Sequence, residues 1–228
     1  MRGWLGLGPV AVCMEAPAVL WPWPWPLLRR PGPPRHRWRL ALRCRHAPGA
    51  GAPGPLVRRG AGDFLGPGFM LRRLDDGAYA ASVQGAIESM AALSAALIDT
   101  GEREPLAVAH GALLAVGDRG ALVLGPSGAG KSTFAARHEA RTRGANAALL
   151  WTTTSGVRAC ALPITGHGDA SVRPGSVRLV GGLWLGESRV LSPGRALGRW
   201  VSALATAQGG RPSSALWPEL MRLPLRGI

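Results

Sequence analysis

A chain of 228 residues has room for one domain, or for one domain with an extension. Its net charge of +14 is unevenly spread, because residues 1–60 hold ten arginines and one acid, a balance of +9, and the rest carries +5. The rest is therefore only mildly basic, and composition gives no firm nucleic-acid partner. The three cysteines form no C-x-x-C pair, which excludes a disulfide framework and a cysteine zinc site and favours a reducing, cytoplasmic compartment.

The first sixty residues are of low complexity. The repeat Trp21-Pro22-Trp23-Pro24-Trp25-Pro26 is followed by Arg-, Pro- and Gly-rich sequence as far as Arg59. Alternating proline excludes a helix and removes the amide donors of a β-ladder. We therefore expect residues 1–60 to be disordered, or to be sequence upstream of the true start codon.

Two alternatives for this segment stay open. A secretory signal would use Arg2, the apolar run from Trp4 to Val12 and the small residues near Ala18, although Pro9 interrupts its core. A basic arm would bind nucleic acid or anionic lipid through interleaved tryptophan and arginine. The prolines and Glu15 break every apolar run long enough to span a membrane, so we expect no membrane span and name no firm membrane partner.

Ordered chain is expected to begin near Gly60–Phe69 and to form one nucleotide-binding domain over residues 61–228. Residues Tyr79–Ile98 have the spacing of an amphipathic helix, with a buried stripe that includes Val83, Ile87, Met90, Ser94 and Leu97. Asp99-Thr100-Gly101 predicts its end.

Two apolar runs follow, Leu106–Val116 and Ala121–Leu124, and the turn-forming residues 117–120 join them. This pattern predicts a β-hairpin, with the second run a buried parallel strand. His110 lies inside the first run, where a histidine is more often part of the core than functional.

The second run leads into Gly125-Pro126-Ser127-Gly128-Ala129-Gly130-Lys131-Ser132-Thr133. This stretch fits the phosphate-binding pattern G-x-x-x-x-G-K-[S/T], in which glycines let backbone N–H groups surround a polyphosphate. Lys131 is predicted to reach the β- and γ-phosphates of ATP, and the Ser132 hydroxyl to take one position on Mg²⁺. Residues 133–137 are predicted to continue as a helix.

Lys131 is the only lysine of the chain, beside 26 arginines. The sequence uses arginine wherever a positive charge suffices, and keeps lysine where a slim ammonium must enter the phosphate loop. We therefore interpret residues 125–133 as the cofactor-binding site.

Downstream, Ala147–Leu150 predicts the next buried strand, after which a phosphoryl-transfer enzyme needs a carboxylate. Trp151-Thr152-Thr153-Thr154 stands there instead, and threonine cannot act as a general base at neutral pH. The acids beyond this point are Asp169, Glu187 and Glu219. Asp169 follows His167 in a Gly-rich segment that is more typical of a solvated turn. The catalytic residues stay unassigned.

The pattern predicts two further helices. Ser192 and Pro193 have the residue types of a helix N-terminus, and Leu197, Trp200, Val201 and Leu204 would form the buried face of that helix, which Gly209-Gly210 would end. Residues 213–223 favour one more short helix, interrupted by Pro218.

In their order, these elements resemble the HPr kinase/phosphorylase-like family over residues 79–206. The residues concerned are an upstream helix, Ala109-His110-Gly111-Ala112, the Gly-Asp-Arg-Gly turn, the phosphate loop, Arg143-Gly144-Ala145, Ala161-Leu162-Pro163-Ile164 and Leu191-Ser192-Pro193. The resemblance implies an α/β fold with a mixed sheet like that of phosphoenolpyruvate carboxykinases, ATP and Mg²⁺ binding, and phosphoryl transfer to a serine of a small protein or peptide.

The chain departs from this family at one place. Members typically carry an Asp-Asp or Asp-Glu pair where Trp151-Thr152-Thr153 stands. The function thus has three interpretations: a serine kinase, a catalytically degenerate module that binds nucleotide without turnover, or a generic P-loop ATPase. A transporter-type ATPase is excluded because the chain lacks a Leu-Ser-Gly-Gly-Gln-like signature. The sequence leaves open ATP against GTP and the oligomeric state, a homo-oligomer included.

Overall fold

The structure is a computed structural model that describes residues 1–21, 37–60, 62–162, 172–173, 175–187, 191–204 and 216–228. It is a mixed α/β fold with two mixed β-sheets and, among the described residues, four α-helices. The chain divides into two compact units, of which the first holds Met1–Arg103 and the second begins at Glu104. In these ranges no helix is long and apolar enough to cross a membrane.

The first unit contains a seven-stranded sheet in the order β1-β2-β3-β7-β6-β5-β4. Its strands are β1 (Arg2–Leu7), β2 (Val10–Glu15), β3 (Trp38–His46), β4 (Val57–Arg58), β5 (Asp63–Gly66), β6 (Phe69–Asp75) and β7 (Ala78–Val83). β3 pairs in parallel with β2 and β7, and the other pairs are antiparallel. One face of the sheet packs against helix α1 (Ala86–Gly101).

The described parts of residues 1–60 differ from the disordered segment that we expected, because they supply four of these strands. In β3, Leu40, Leu42 and Cys44 are buried and alternate with exposed arginines, which is the period of a half-buried strand. Between β1 and β2, Gly8 has φ of 55° beside Pro9, so the proline that interrupts the apolar run lies in a turn. Residues 22–26 of the Trp-Pro repeat lie outside the described residues, and the unit boundary falls at 103, not at 60.

The predicted helix over Tyr79–Ile98 is wrong in its first part. Residues 78–83 form β7, which pairs with both β3 and β6, and the helix begins only at Ala86. Ile87, expected in the buried stripe, is 66% exposed, whereas Met90 and Leu97 are buried as predicted. Pairing on both sides outweighs the helical preference of this alanine-rich segment.

The second unit contains an eight-stranded sheet in the order β11-β9-β10-β14-β13-β12-β8, with β15 beside β14. Its strands are β8 (Leu106–His110), β9 (Ala112–Val116), β10 (Arg119–Leu124), β11 (Thr142–Gly144), β12 (Ala147–Thr153), β13 (Gly156–Ala161), β14 (Ser176–Trp184) and β15 (Leu225–Gly227). Its helices are α2 (Lys131–Arg137), α3 (Pro193–Ala203) and α4 (Trp217–Met221). Two short 3-10 turns, Ala18–Leu20 in the first unit and Glu139–Arg141 in the second, complete the described elements.

The hairpin of β9 and β10 is confirmed, and β10 pairs in parallel with β14. The run 106–116, however, is two strands, because β8 pairs with β12 while β9 pairs with β10. The break falls at Gly111, where a Cβ atom would lie 2.7 Å from the carbonyl oxygen of Val123. Only glycine allows the backbone to pass this close to the end of β10.

The later helices follow the sequence pattern closely. Helix α3 begins at Pro193 after Ser192, as predicted, and buries Trp200 and Leu204, but Val201 is exposed. Helix α4 matches the predicted short helix, with Pro218 in its first turn. Residues 209–210, the predicted end of α3, lie outside the described residues, and the helix ends at Ala203.

A small core cluster fixes α2 on the second sheet. Buried Ala112 and Val123 of β9 and β10 meet Ala135 of α2 and Ala145, and half-buried side chains complete the cluster: Leu114, Phe134, Leu183 and Leu185. The helix that follows residues 125–130 is therefore packed against the strand that precedes them.

Candidate functional site

The glycine-rich stretch connects the end of β10 at Leu124 to the start of α2 at Lys131, so strand, loop and helix follow in the predicted order. Gly125, Gly128 and Gly130 have φ of 154°, 78° and 87°, which L side chains rarely adopt. A Cβ atom at Gly128 or Gly130 would meet nothing within 4 Å. The backbone conformation, and not crowding, therefore favours glycine there, and the space beside the loop is open.

The Lys131 side chain is buried against the loop and binds its backbone. It is only 7% exposed, and its Nζ donates hydrogen bonds to the carbonyl oxygens of Gly125 (2.9 Å) and Pro126 (2.8 Å). Burial lowers the pKa of this ammonium. Among the described residues this desolvated cation donates to neutral carbonyl oxygens of the loop alone, so it is suited to bind an anion.

The hydroxyl-bearing residues of the loop face outward. Ser127, Ser132 and Thr133 are exposed, and the Ser132 hydroxyl makes no hydrogen bond within the described residues. It is therefore available to a ligand.

The far end of α2 is held by a buried threonine. Thr142 Oγ1 donates to the carbonyl oxygens of Ala135 (2.8 Å) and His138 (3.1 Å). The His138 ring stacks on Phe134 at 4.4 Å between centroids. The hydroxyl adds a side-chain hydrogen bond to carbonyl oxygens that also accept backbone N–H groups, from His138 to Ala135 and from Arg141 to His138.

His110 lies at the end of β8 and is exposed, so the expectation of a core histidine is wrong. Desolvation by its surroundings, and secondly the positive charge of Lys131, lower the pKa of its imidazole. The ring is therefore mainly neutral at pH 7 and lies within electrostatic reach of the loop lysine. Gly111 is the sequence signal for the position of His110, because this glycine lets the end of β8 lie against the end of β10.

Trp151-Thr152-Thr153 forms the end of β12. Ala147, at the start of β12, pairs with His110, and the Gly111 N–H donates to the Asn146 carbonyl oxygen at 3.0 Å. The start of β12 thus lies beside the end of β8, and Thr153 lies about 20 Å from Ala147 along the strand.

Glu187 is the acid that the fold brings to this edge. It follows β14, whose carboxyl end lies beside that of β10, and the Leu185 N–H donates to the Leu124 carbonyl oxygen at 2.9 Å. Its Oε1 accepts from Arg199 and, at 3.4 Å, from Arg195. Its Oε2 is buried and accepts no hydrogen bond from the described residues.

The other downstream candidates do not join this group. His167 and Asp169 lie outside the described residues, and Glu219 pairs with Arg222 at 2.6 Å within α4. Over the described ranges, no three His, Cys, Asp or Glu side chains are grouped to hold a metal ion by themselves.

Comparison with known proteins gives no family. No protein-family model matches the chain, and no curated protein matches it.

Proposed function

We propose that residues 125–133 bind the phosphates of ATP together with Mg²⁺, as the resemblance to HPr kinase-like proteins implies. The observation that carries the proposal is the position of Lys131, whose buried ammonium donates to the carbonyl oxygens of Gly125 and Pro126 and to no other described residue. Phosphate oxygens would replace these neutral acceptors with charged ones, which form stronger hydrogen bonds.

Two side chains fit a magnesium ion at this site. Ser132 offers an exposed hydroxyl, and Glu187 an orphaned buried carboxylate oxygen at the same edge of the sheet. Bound Mg²⁺ would neutralise charge on the β- and γ-phosphates, and it ordinarily takes few protein ligands beside phosphate and water. The lack of a three-residue metal cluster is compatible with such a site.

A second candidate function is transfer of the γ-phosphoryl group to a serine of a small protein or peptide. His110 favours it over binding alone, because a neutral imidazole near Lys131 can accept the proton of an attacking hydroxyl. In this proposal Lys131 binds the phosphates. His110 acts as the general base in place of the acid pair that the chain lacks. A module that binds nucleotide without turnover is the alternative.

The binding proposal is tested by titrating the full chain with a fluorescent ATP analogue, with and without Mg²⁺. We expect Lys131→Ala to weaken binding by about ten- to a hundred-fold, since charged hydrogen bonds contribute about 1.5–3 kcal/mol each. Arg137→Ala is the matched control, because it removes an exposed cation from the same helix. Equal affinity of the wild type and Lys131→Ala would contradict the proposal.

The transfer proposal needs its own measurement, release of ADP from ATP in the presence of serine-containing peptides. We expect turnover in the wild type and a large loss in His110→Gln with nucleotide affinity retained. Binding without turnover would support the degenerate module. Competition between ATP and GTP in the binding assay identifies the nucleotide.

A further inference from the structure

The first sheet has a basic trough on the face opposite α1, defined by Arg43, Arg45, Arg59, Arg72, Met70 and Leu74. Tyr79 of β7 turns toward α1, where its hydroxyl donates to Asp99 at 2.8 Å, so Ala80 turns to the other face. The trough encloses a cavity of about 550 Å³. A second cavity of about 170 Å³ shares Arg43 and Leu74 with it and extends to Arg2 and Glu15.

The charge of the trough is strongly one-sided. The two cavities are lined by five arginines and two carboxylates, a net charge of +3. The carboxylates are both paired, Glu15 with Arg43 at 3.4 Å and Asp63 with Arg72 at 3.3 Å.

The other three guanidinium groups contact no carboxylate of the described residues. Arg45 donates to Ser82 Oγ at 2.9 Å, Arg2 to Cys13 Sγ at 3.3 Å, and Arg59 has no ion pair within the same ranges. Arg45 and Arg59 line the larger cavity without an ion pair to any described residue, and Arg2 lines the smaller one opposite Glu15, whose carboxylate forms its ion pair with Arg43.

Apolar side chains lie among these cations. Met70 and Leu74 of β6 are 46% and 60% exposed. The aromatic side chains that line the cavities, Phe64 and Tyr79, are both buried. Bases of single-stranded nucleic acid need exposed aromatic faces for stacking, and none of the described residues that line the trough offers one.

We propose that this trough binds an acidic peptide segment of a partner protein. Its carboxylates would pair with Arg45, Arg59 and Arg2, and its apolar side chains would cover Met70 and Leu74. From β1, which holds Arg2, to β4, which precedes Arg59, the trough crosses six strand spacings, about 29 Å, which an extended peptide of about nine residues spans. This proposal goes beyond the proposed function and does not depend on the phosphate loop.

The test measures fluorescence anisotropy of a labelled short peptide of glutamates with interspersed leucines, added to the full chain without nucleotide. We expect binding that weakens as salt is added, because exposed charges are screened. Arg59→Glu should weaken it by about ten-fold or more, since a like charge then faces the peptide. Arg222→Glu, outside the trough and in the second unit, is the control and should leave it unchanged.

Leu74→Ser distinguishes a peptide from other polyanions. We expect it to weaken the glutamate–leucine peptide and to leave binding of a matched all-glutamate peptide unchanged. Tight binding of oligoadenylate RNA or of phosphatidylserine vesicles that is insensitive to Leu74→Ser would overturn the proposal in favour of a charge-only surface. Peptide binding that is absent at low salt, or insensitive to Arg59→Glu, would overturn it as well.

Discussion

Asp99, near the end of α1, has a carboxylate that is 2% exposed and accepts hydrogen bonds from four side chains. Arg58 Nη2 donates to Oδ1 at 3.3 Å, while Arg73 (3.4 Å), Arg103 (3.3 Å) and the Tyr79 hydroxyl (2.8 Å) donate to Oδ2. The network joins α1 to three strands of the first sheet, β4, β6 and β7.

We expect Asp99→Asn to lower the free energy of unfolding by about 1–3 kcal/mol, because a neutral amide replaces the carboxylate, while Arg58 keeps Glu102 and Arg103 keeps Asp76. Urea unfolding measures the change. Asp75→Asn is the control: the side chain is exposed and asparagine keeps an acceptor for the Asp76 N–H. It should stay within about 0.5 kcal/mol of the wild type, and equal effects of the two variants would contradict the network.

His110 and Lys131 give a prediction on pH. Desolvation and the lysine charge hold the pKa of His110 below its ordinary 6.5, so folding opposes protonation and stability falls as pH drops below 6.5. Removing the charge in Lys131→Ala should raise the pKa of His110 toward 6.5. NMR titration of the imidazole, assigned with the help of His110→Gln, measures this pKa. An unchanged pKa in Lys131→Ala would contradict an electrostatic interaction between the two side chains.

The candidate site shows which residues a local pattern can identify. Residues 125–133 were predicted correctly as a connection between strand and helix because glycine spacing and a short apolar run are local signals. His110 and Glu187 reach this edge only through pairing of β8 with β12 and of β14 with β10. Such pairings join distant parts of the chain and leave no local sequence signal. From the sequence we therefore expected the carboxylate directly after the strand Ala147–Leu150.

At the scale of elements, α2 has seven residues, and an isolated helix of that length is unstable in water. It depends on the cluster around Ala135 and on the Thr142 hydroxyl, which binds two of its last carbonyl oxygens. The position of Lys131 at the other end depends on the same anchoring.

We expect Thr142→Val to lower the free energy of unfolding by about 0.5–1.5 kcal/mol, because the shape is kept and the hydroxyl bonds are lost, while both carbonyl oxygens keep backbone N–H donors. Chemical denaturation gives the value. Thr152→Val serves as the control, since the Thr152 side chain makes no hydrogen bond among the described residues. A similar loss in both variants would show that β-branching, and not the hydroxyl bonds, governs the effect.

The elements of the first unit also show why composition misled. Proline and arginine dominate the average over residues 1–60, whereas β3 is specified by the alternation of Leu40, Leu42 and Cys44 with arginine. The sequence also held a hairpin signal, Asp76-Gly77 between β6 and β7, with φ of 76° at the glycine. This turn predicts a strand directly after Gly77, so β7 could have been distinguished from α1 in the sequence.

For the whole molecule, the first sheet makes residues 1–21 and 37–60 a part of the fold. Their deletion would remove β1 to β4, together with Arg58 from the Asp99 network, and would expose the edge of β7 that pairs with β3. We expect the shortened chain to bind the dye ANS strongly and to aggregate, which size-exclusion chromatography would show. A monodisperse variant that binds no more ANS than the full chain would contradict this role.

The parallel pairing of β10 with β14 also determines when the phosphate loop can form during protein synthesis. As the chain leaves the ribosome, the hairpin of β9 and β10 emerges first, and a two-stranded hairpin by itself is marginally stable in water. Its second neighbour, Ser176–Trp184, emerges only after β11, β12 and β13. Under the binding proposal, nucleotide cannot assist the early folding of the nascent chain, and stabilisation by bound nucleotide would begin only once translation has passed Trp184.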